Sequence, residues 1–284
     1  MKLLVFGRTG QVARELERAV PGDWPAHFLA RDEADLADPP ACAAVVGEHA
    51  PDAVIIAAAY TAVDRAEEEQ DLADIVNGEA PGAIARAAAS IGAPLLHLST
   101  DYVFDGCGDV PFEPQAKTGP LGAYGRSKLL GERRIAEAGG NWLILRTSWV
   151  FSAHGSNFVR TMLRLGAERG HLRVVGDQIG GPTSASSIAQ ALLVCAGRLH
   201  QGQRGGLYHF AGTPCVSWAG FAEAVMREAR LDCRIEPIPS MDYPTAAARP
   251  ANSRLDCTAT GRDFGITCPD WRDDLTKVIK ELTR

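Results

Sequence analysis

No stretch of this sequence approaches the ~18 consecutive apolar residues that mark a bilayer-spanning helix, so no transmembrane span is expected. The seven cysteines, Cys42, Cys107, Cys195, Cys215, Cys233, Cys257 and Cys268, contain no C-x-x-C pair. That scatter reads as free thiols in a reducing compartment, and the chain is expected to be cytoplasmic. The seven histidines are scattered too, with no H-x-x-x-H, so no protein-held metal centre is expected. Basic residues are not in excess: 29 Lys and Arg stand against 35 Asp and Glu, for a formal charge of −6. A nucleic acid is therefore excluded as the main partner, because phosphate backbones demand a concentrated basic surface. A small anionic ligand remains open. The opening segment Lys2-Leu3-Leu4-Val5-Phe6 runs straight into a glycine turn and reads as a first strand rather than a secretion signal.

What is present is ordinary globular composition, 46% hydrophobic and 23% charged over 284 residues. Short apolar runs alternate with helical stretches. Strands are expected near Lys2–Phe6, His27–Ala30, Ala53–Ala57, Leu95–Leu98 and Trp142–Leu145, with helices over Gln11–Ala19, Ala41–His49 and Asp71–Ile91 between them. Strands apolar throughout suit a parallel sheet covered on both faces, wound from β-α-β units. The fold class is thus α/β, a doubly wound parallel sheet of Rossmann type, with a smaller C-terminal α/β substrate region. After Arg146 the rhythm changes. Helices are expected at Asn157–Glu168, Ser186–Leu199, Trp218–Ala229 and Trp271–Leu282, and strands at Leu172–Val175 and Leu207–Phe210. Residues 1–150 are read as a cofactor-binding domain with returning segments at about 176–212, and residues 151–175 and 213–284 as the substrate region.

Chemistry is carried first by Tyr124 and Lys128, a Y-x-x-x-K pair about 25 residues after Ser99-Thr100. Composition alone would give about 0.1 such matches, so chance is the weaker explanation. Residues four apart share a helix face, which lets a phenol and an ammonium point into one cleft. The cation is expected to lower the tyrosine pKa and make it a usable acid–base group. The second signal is Gly7-x-x-Gly10-x-x-Ala13, placed where the first strand becomes a helix. Glycines there permit a tight turn and close approach of a pyrophosphate to a helix N-terminus. Arg8 and Arg31 would suit the 2′-phosphate of NADPH, whereas Asp32 would suit the free ribose of NADH. NADPH is favoured, with NADH tolerated. Asp35 and Leu36 are candidates for the adenine wall.

These motifs, together with Ala57-Ala58-Ala59-Tyr60-Thr61-Ala62-Val63-Asp64, Ser99-Thr100-Asp101-Tyr102-Val103-Phe104-Asp105-Gly106 and Arg146-Thr147-Ser148-Trp149-Val150, resemble the extended short-chain dehydrogenase/reductases. More narrowly they resemble the dTDP-4-dehydrorhamnose reductase family, and the likeness continues through Asp177-Gln178-x-Gly180-x-Pro182-Thr183 and Arg249-Pro250-x-Asn252-Ser253. The resemblance implies NAD(P)H-dependent reduction of the C4 ketone of a nucleotide sugar in dTDP-L-rhamnose synthesis. It implies that Tyr124 donates the proton, that Thr100 hydrogen-bonds the same oxygen, and that Lys128 holds the nicotinamide ribose. Cofactor contacts are expected from Gly7, Thr9, Gly10, Gln11, Val12, Arg31, Asp35, Leu36, Ala59, Tyr60 and Thr61. Asp101 is expected on the sugar, Trp149 on its face, and Arg249 at the substrate pyrophosphate.

One departure stands out. Members that dimerise through Mg²⁺ resemble this chain at Glu15 but carry an acidic pair after the Gly-x-Pro-Thr loop, where Ser184-Ala185-Ser186-Ser187 stands here. The expected assembly is therefore a monomer or a metal-independent dimer. Two alternatives remain: a nucleotide-sugar dehydratase or epimerase, and a non-catalytic binding module like the regulatory subunit of methionine adenosyltransferase. Dehydratases of this class use Thr-Asp-Glu, and Tyr102 stands in place of that last acid.

Overall fold

The computed structural model describes residues 1–283. Strands β1 (Leu3–Phe6), β2 (Ala26–Leu29), β3 (Ala53–Ile56), β4 (Leu95–Thr100) and β5 (Trp142–Thr147) join the strand Gly206–His209 in one sheet. Its order is β2-β1-β3-β4-β5 and then Gly206–His209, with every pairing parallel. The chain grows outward in both directions from β1 and β3. At that reversal a crevice opens beyond the carboxyl ends of the strands.

The unbroken apolar runs follow from burial on both faces. Leu3 and Val5 enter one core with Leu16 of α1 (Gln11–Ala19) and Ile188 and Leu192 of α7 (Ala185–His200). Leu4 and Phe6 turn the other way, to Val46 of α2 (Pro39–His49), Ile84 of α4 (Ala80–Ser90) and Ile135 of α5 (Ala123–Ala138). Thus α7 and the strand after it belong to the main sheet although they follow the change of rhythm. A separate core unites α6 (Phe158–Glu168), α8 (Trp218–Ala229) and α10 (Trp271–Leu282) over a parallel ladder of His171–Val175 with Arg234–Ile238. No helix among the described residues is long and apolar enough to cross a membrane. All seven cysteines are free.

Two expectations need correction. The helix foreseen over Asp71–Ile91 is three pieces: α3 (Gln70–Asp74), a π turn at Ile75–Glu79, and α4. Packing at the π turn is close: a β-carbon on Gly78 would lie 2.5 Å from Leu130 of α5. The tail from Cys233, where no strand was expected, contains the strand Arg234–Ile238. Pro237 lacks an N–H, and an outer strand of a two-stranded ladder tolerates that.

Candidate active site

The turn from β1 into α1 forms one wall of a cavity of about 1050 Å³. Gly7 has φ +118°, and a β-carbon there would sit 3.1 Å from the Ala58 backbone nitrogen. Gly10 caps α1 without a side-chain hydrogen bond, and no acidic residue occupies the first turn. The first N–H groups of a helix lack intrahelical acceptors, so this end is free to bind an anion. Gln11 holds the turn to the second core, its Oε1 accepting from Ser152 Oγ (2.8 Å) and Asn157 Nδ2 (2.9 Å).

The opposite wall is built from β4 and α5. Lengthening β4 to Thr100 delivers Ser99 and Thr100 to the carboxyl edge, and α5 presents Tyr124 and Lys128 beside them. The Thr100 hydroxyl donates to Asp101 Oδ1 (3.1 Å) and accepts from the Tyr102 backbone N–H (3.2 Å). The Tyr102 and Tyr124 rings meet edge to face at 5.5 Å. Asp101 Oδ2 and Thr147 Oγ1 are buried without a hydrogen-bond partner, and both residues line the cavity. The lining also includes Gly7, Thr9, Gly10, Gln11, Val12, Arg31, Asp35, Leu36, Ala59, Tyr60, Thr61 and Trp149.

The whole chain, residues 1–284, matches the family model described as RmlD substrate binding domain. It is 45% identical to the dTDP-4-dehydrorhamnose reductase of Burkholderia thailandensis, over 99% of each chain. A crystal structure of a dTDP-4-dehydrorhamnose reductase from Clostridium acetobutylicum superposes with a TM-score of 0.95 at 33% identity, covering 100% of both chains. Another, from Bacillus anthracis in complex with NADP, gives 0.91 at 33% identity over 99% of each. The chain belongs to the dTDP-4-dehydrorhamnose reductase family.

Within this member of the family, two residues stand otherwise than the sequence suggested. The Tyr124 phenol stands above its ordinary pKa, not below it. Burial pushes the phenol well above its ordinary value, reinforced by the charge of Asp101 and opposed only by the Thr100 hydrogen bond. The ammonium is drawn back to the sheet instead, donating to the Leu98 carbonyl (2.7 Å) and lying 3.0 Å from His97 Nε2. Burial lowers Lys128 itself to about 8, with Glu132 opposing. Arg249 does not join the cavity lining. Its Nη1 and Nη2 grip Asp64 at 3.1 and 2.7 Å, and Nη1 also donates to the Ala247 carbonyl (3.1 Å). That pair straps the loop before Pro250 to the segment after Tyr60.

The rest of the site is arranged by residues that spacing could not reveal. Asn77, brought inward by the π turn, accepts from the Tyr60 N–H (2.8 Å) and donates to the Tyr60 carbonyl (3.0 Å) and Ser127 Oγ (3.0 Å). Trp218 stacks on Trp149 at 3.5 Å with the planes 8° apart, so one face of Trp149 is already covered. Behind Lys128, Glu132 is held bidentately by buried Arg146 (2.8 and 2.6 Å) and accepts from Ser99 Oγ (2.5 Å). Glu132 follows Lys128 by four residues, the one hint the sequence contained. Asp32 is absent from the cavity lining, whereas Arg31 lines it and donates to Asp35 Oδ2 (3.0 Å).

Proposed function

We propose that this chain reduces the C4 ketone of dTDP-4-dehydrorhamnose to dTDP-L-rhamnose with NADPH, in the cytoplasm, as a monomer or metal-independent dimer. The observation that carries the reading is the convergence of Thr100, Tyr124 and Lys128 with the uncapped glycine turn on one cavity. The residues present suit the cofactor: a side chain at Gly7 would obstruct the approach that a pyrophosphate makes there. Gly7, Thr9, Gly10, Gln11 and Val12 would hold that pyrophosphate, Arg31 the 2′-phosphate, Asp35 and Leu36 the adenosine end, and Ala59, Tyr60 and Thr61 a ribose. Tyr124 and Lys128 would hold the nicotinamide ribose. Bound NADPH supplies the hydride that reaches C4.

The chain's own residues supply the rest. A phenol kept protonated by burial is the acid that ketone reduction requires, and Tyr124 gives its proton to the C4 oxygen as that oxygen gains charge. Thr100 hydrogen-bonds the same oxygen after its hydroxyl rotates away from Asp101. Asp101, with one oxygen unpartnered, accepts from a sugar hydroxyl. Trp149, which lines the cavity, contacts the sugar. Arg249 serves by holding its loop against Asp64 and reaches a substrate phosphate only if that pair opens. The division of labour proposed is that residues 1–150 with the returning segments hold the cofactor, and that residues 151–175 and 213–284 shape the sugar site. Loss of NADPH absorbance on addition of dTDP-4-dehydrorhamnose tests the reading. No turnover with that substrate, while NADPH still binds, would favour the non-catalytic module.

A further inference from the structure

Lys128 and His97 are both almost fully buried, 2% and 1% exposed, and nothing in the reaction above uses the imidazole. An ammonium has three N–H donors to place. One goes to the Leu98 carbonyl at 2.7 Å, and His97 Nε2 lies 3.0 Å from the same nitrogen. His97 Nδ1 has no partner. We infer that His97 is a positioning residue: its neutral ring accepts a hydrogen bond from Lys128 and, with the Leu98 carbonyl, turns the third N–H of the ammonium toward the cavity. The inference rests on the reading of Lys128 as the residue that holds the ribose beside Tyr124.

The chemistry leaves one arrangement. With Lys128 protonated, Nε2 can only accept, so the ring proton sits on Nδ1. A charged imidazole would set two cations 3.0 Å apart in a dry site. Burial first, and the Lys128 charge second, hold His97 well below its ordinary pKa and keep it neutral. The ionisable groups reaching α5 from the elements packed on it include Glu67 at the Ala123 N–H, Glu79 at Arg134, Asp101 and Tyr102 near Tyr124, Arg146 at Glu132, and His97 itself. Of the acids, Glu132 on α5 is the one that acts on Lys128. An apolar side chain at position 97 would still fill the core but would leave a buried ammonium short of an acceptor.

The test begins with nitrogen NMR of the cofactor-free protein. His97 should show the Nδ1–H tautomer and fail to titrate from about pH 5 to 7. The Nε2–H tautomer, or titration in that window, would overturn the inference whatever the activity. Kinetics follow with two variants. His97→Leu should lower kcat by about tenfold and move the basic limb of its pH profile down by about one unit, because a buried ammonium without its acceptor loses its proton sooner. His97→Gln, whose amide oxygen reaches the Nε2 position, should restore the limb and most of kcat. Equal impairment of both variants, or an unmoved limb in His97→Leu, would mean that the ring only fills space. Lys128→Met separates the two readings: full activity there would remove Lys128 from the reaction, while the tautomer still reports its contact with His97. Should His97→Leu not fold, the tautomer and His97→Gln decide the matter.

Discussion

The Tyr124 phenol is the atom group on which the chemistry turns. Tyr124→Phe deletes one oxygen from a packed ring, so NADPH, followed by fluorescence quenching, should still bind, weaker by at most the one ribose hydrogen bond (about 1 kcal/mol), while kcat falls by at least two orders of magnitude, as removal of a positioned acid does. Near-normal turnover would exclude Tyr124 as the proton donor. Asp101 carries a prediction of a different kind. Burial raises its carboxyl to about 6, with Ser253 first and Thr100 second opposing. A raised carboxyl binds its proton more tightly in the folded state, so its contribution to stability is complete below about pH 4 and is lost as pH climbs through about 6. The loss is on the order of 3 kcal/mol. Asp101→Asn should therefore melt increasingly above the parent protein between pH 4 and 7 and track it beyond, at the expense of turnover. Parallel melting curves would show that Asp101 is not strained by ionisation. The meeting of Tyr124, Lys128 and the glycines at one cavity was legible because a local spacing encodes it, and Thr100 entered through the family resemblance. His97, Asn77 and Trp218 were not, since each acts through a partner far away in sequence.

At the scale of elements, strands buried on both faces and helices with one apolar stripe announced themselves by pattern, and Trp218–Ala229 and Trp271–Leu282 fall where periodicity put them. Two-residue strands such as Ile179–Gly180 have no period to read, and the π turn is decided by what packs on it. The crossing of α5 over that turn depends on glycine. A β-carbon on Gly131 would lie 2.1 Å from the Asn77 carbonyl oxygen, which is backbone and cannot swing aside. Gly131→Ala should destabilise the protein by about 1–3 kcal/mol and lower kcat, because α5 carries Tyr124 and Lys128 and small displacements of reacting groups are costly. Gly47 of α2 is the control: nothing lies within 4 Å of its missing β-carbon, so Gly47→Ala should hold or raise stability by up to about 1 kcal/mol. Denaturant titration of both variants separates a packing effect from helix propensity. Equal responses would mean that the crossing has room to relax.

The molecule as a whole raises the matter of assembly. The serines at 184, 186 and 187 suggested a surface without carboxylates, yet the fold brings Asp274 to them from α10, where it accepts from Ser184 Oγ (2.5 Å) and Ser187 Oγ (2.6 Å) and meets Lys277 Nζ at 2.9 Å. Sequence reading missed this because 90 residues separate Ser184 from Asp274. Arg18 reaches both Glu15 (3.4 Å) and Glu281 (2.9 Å), and His154 also approaches Glu15 at 3.3 Å. Glu15 and Glu281 are thus paired with Arg18, and Asp274 with Lys277 and two serine hydroxyls, and an Mg²⁺ ion would have to displace these partners to assemble its octahedron of oxygens. Chelation with EDTA should accordingly change neither the mass measured by light scattering nor the rate of NADPH oxidation. A dimer that fell to monomer on chelation and reformed with Mg²⁺ would mean that two copies together supply carboxylates that a single copy keeps paired, and that the cations at Arg18 and Lys277 move aside on assembly.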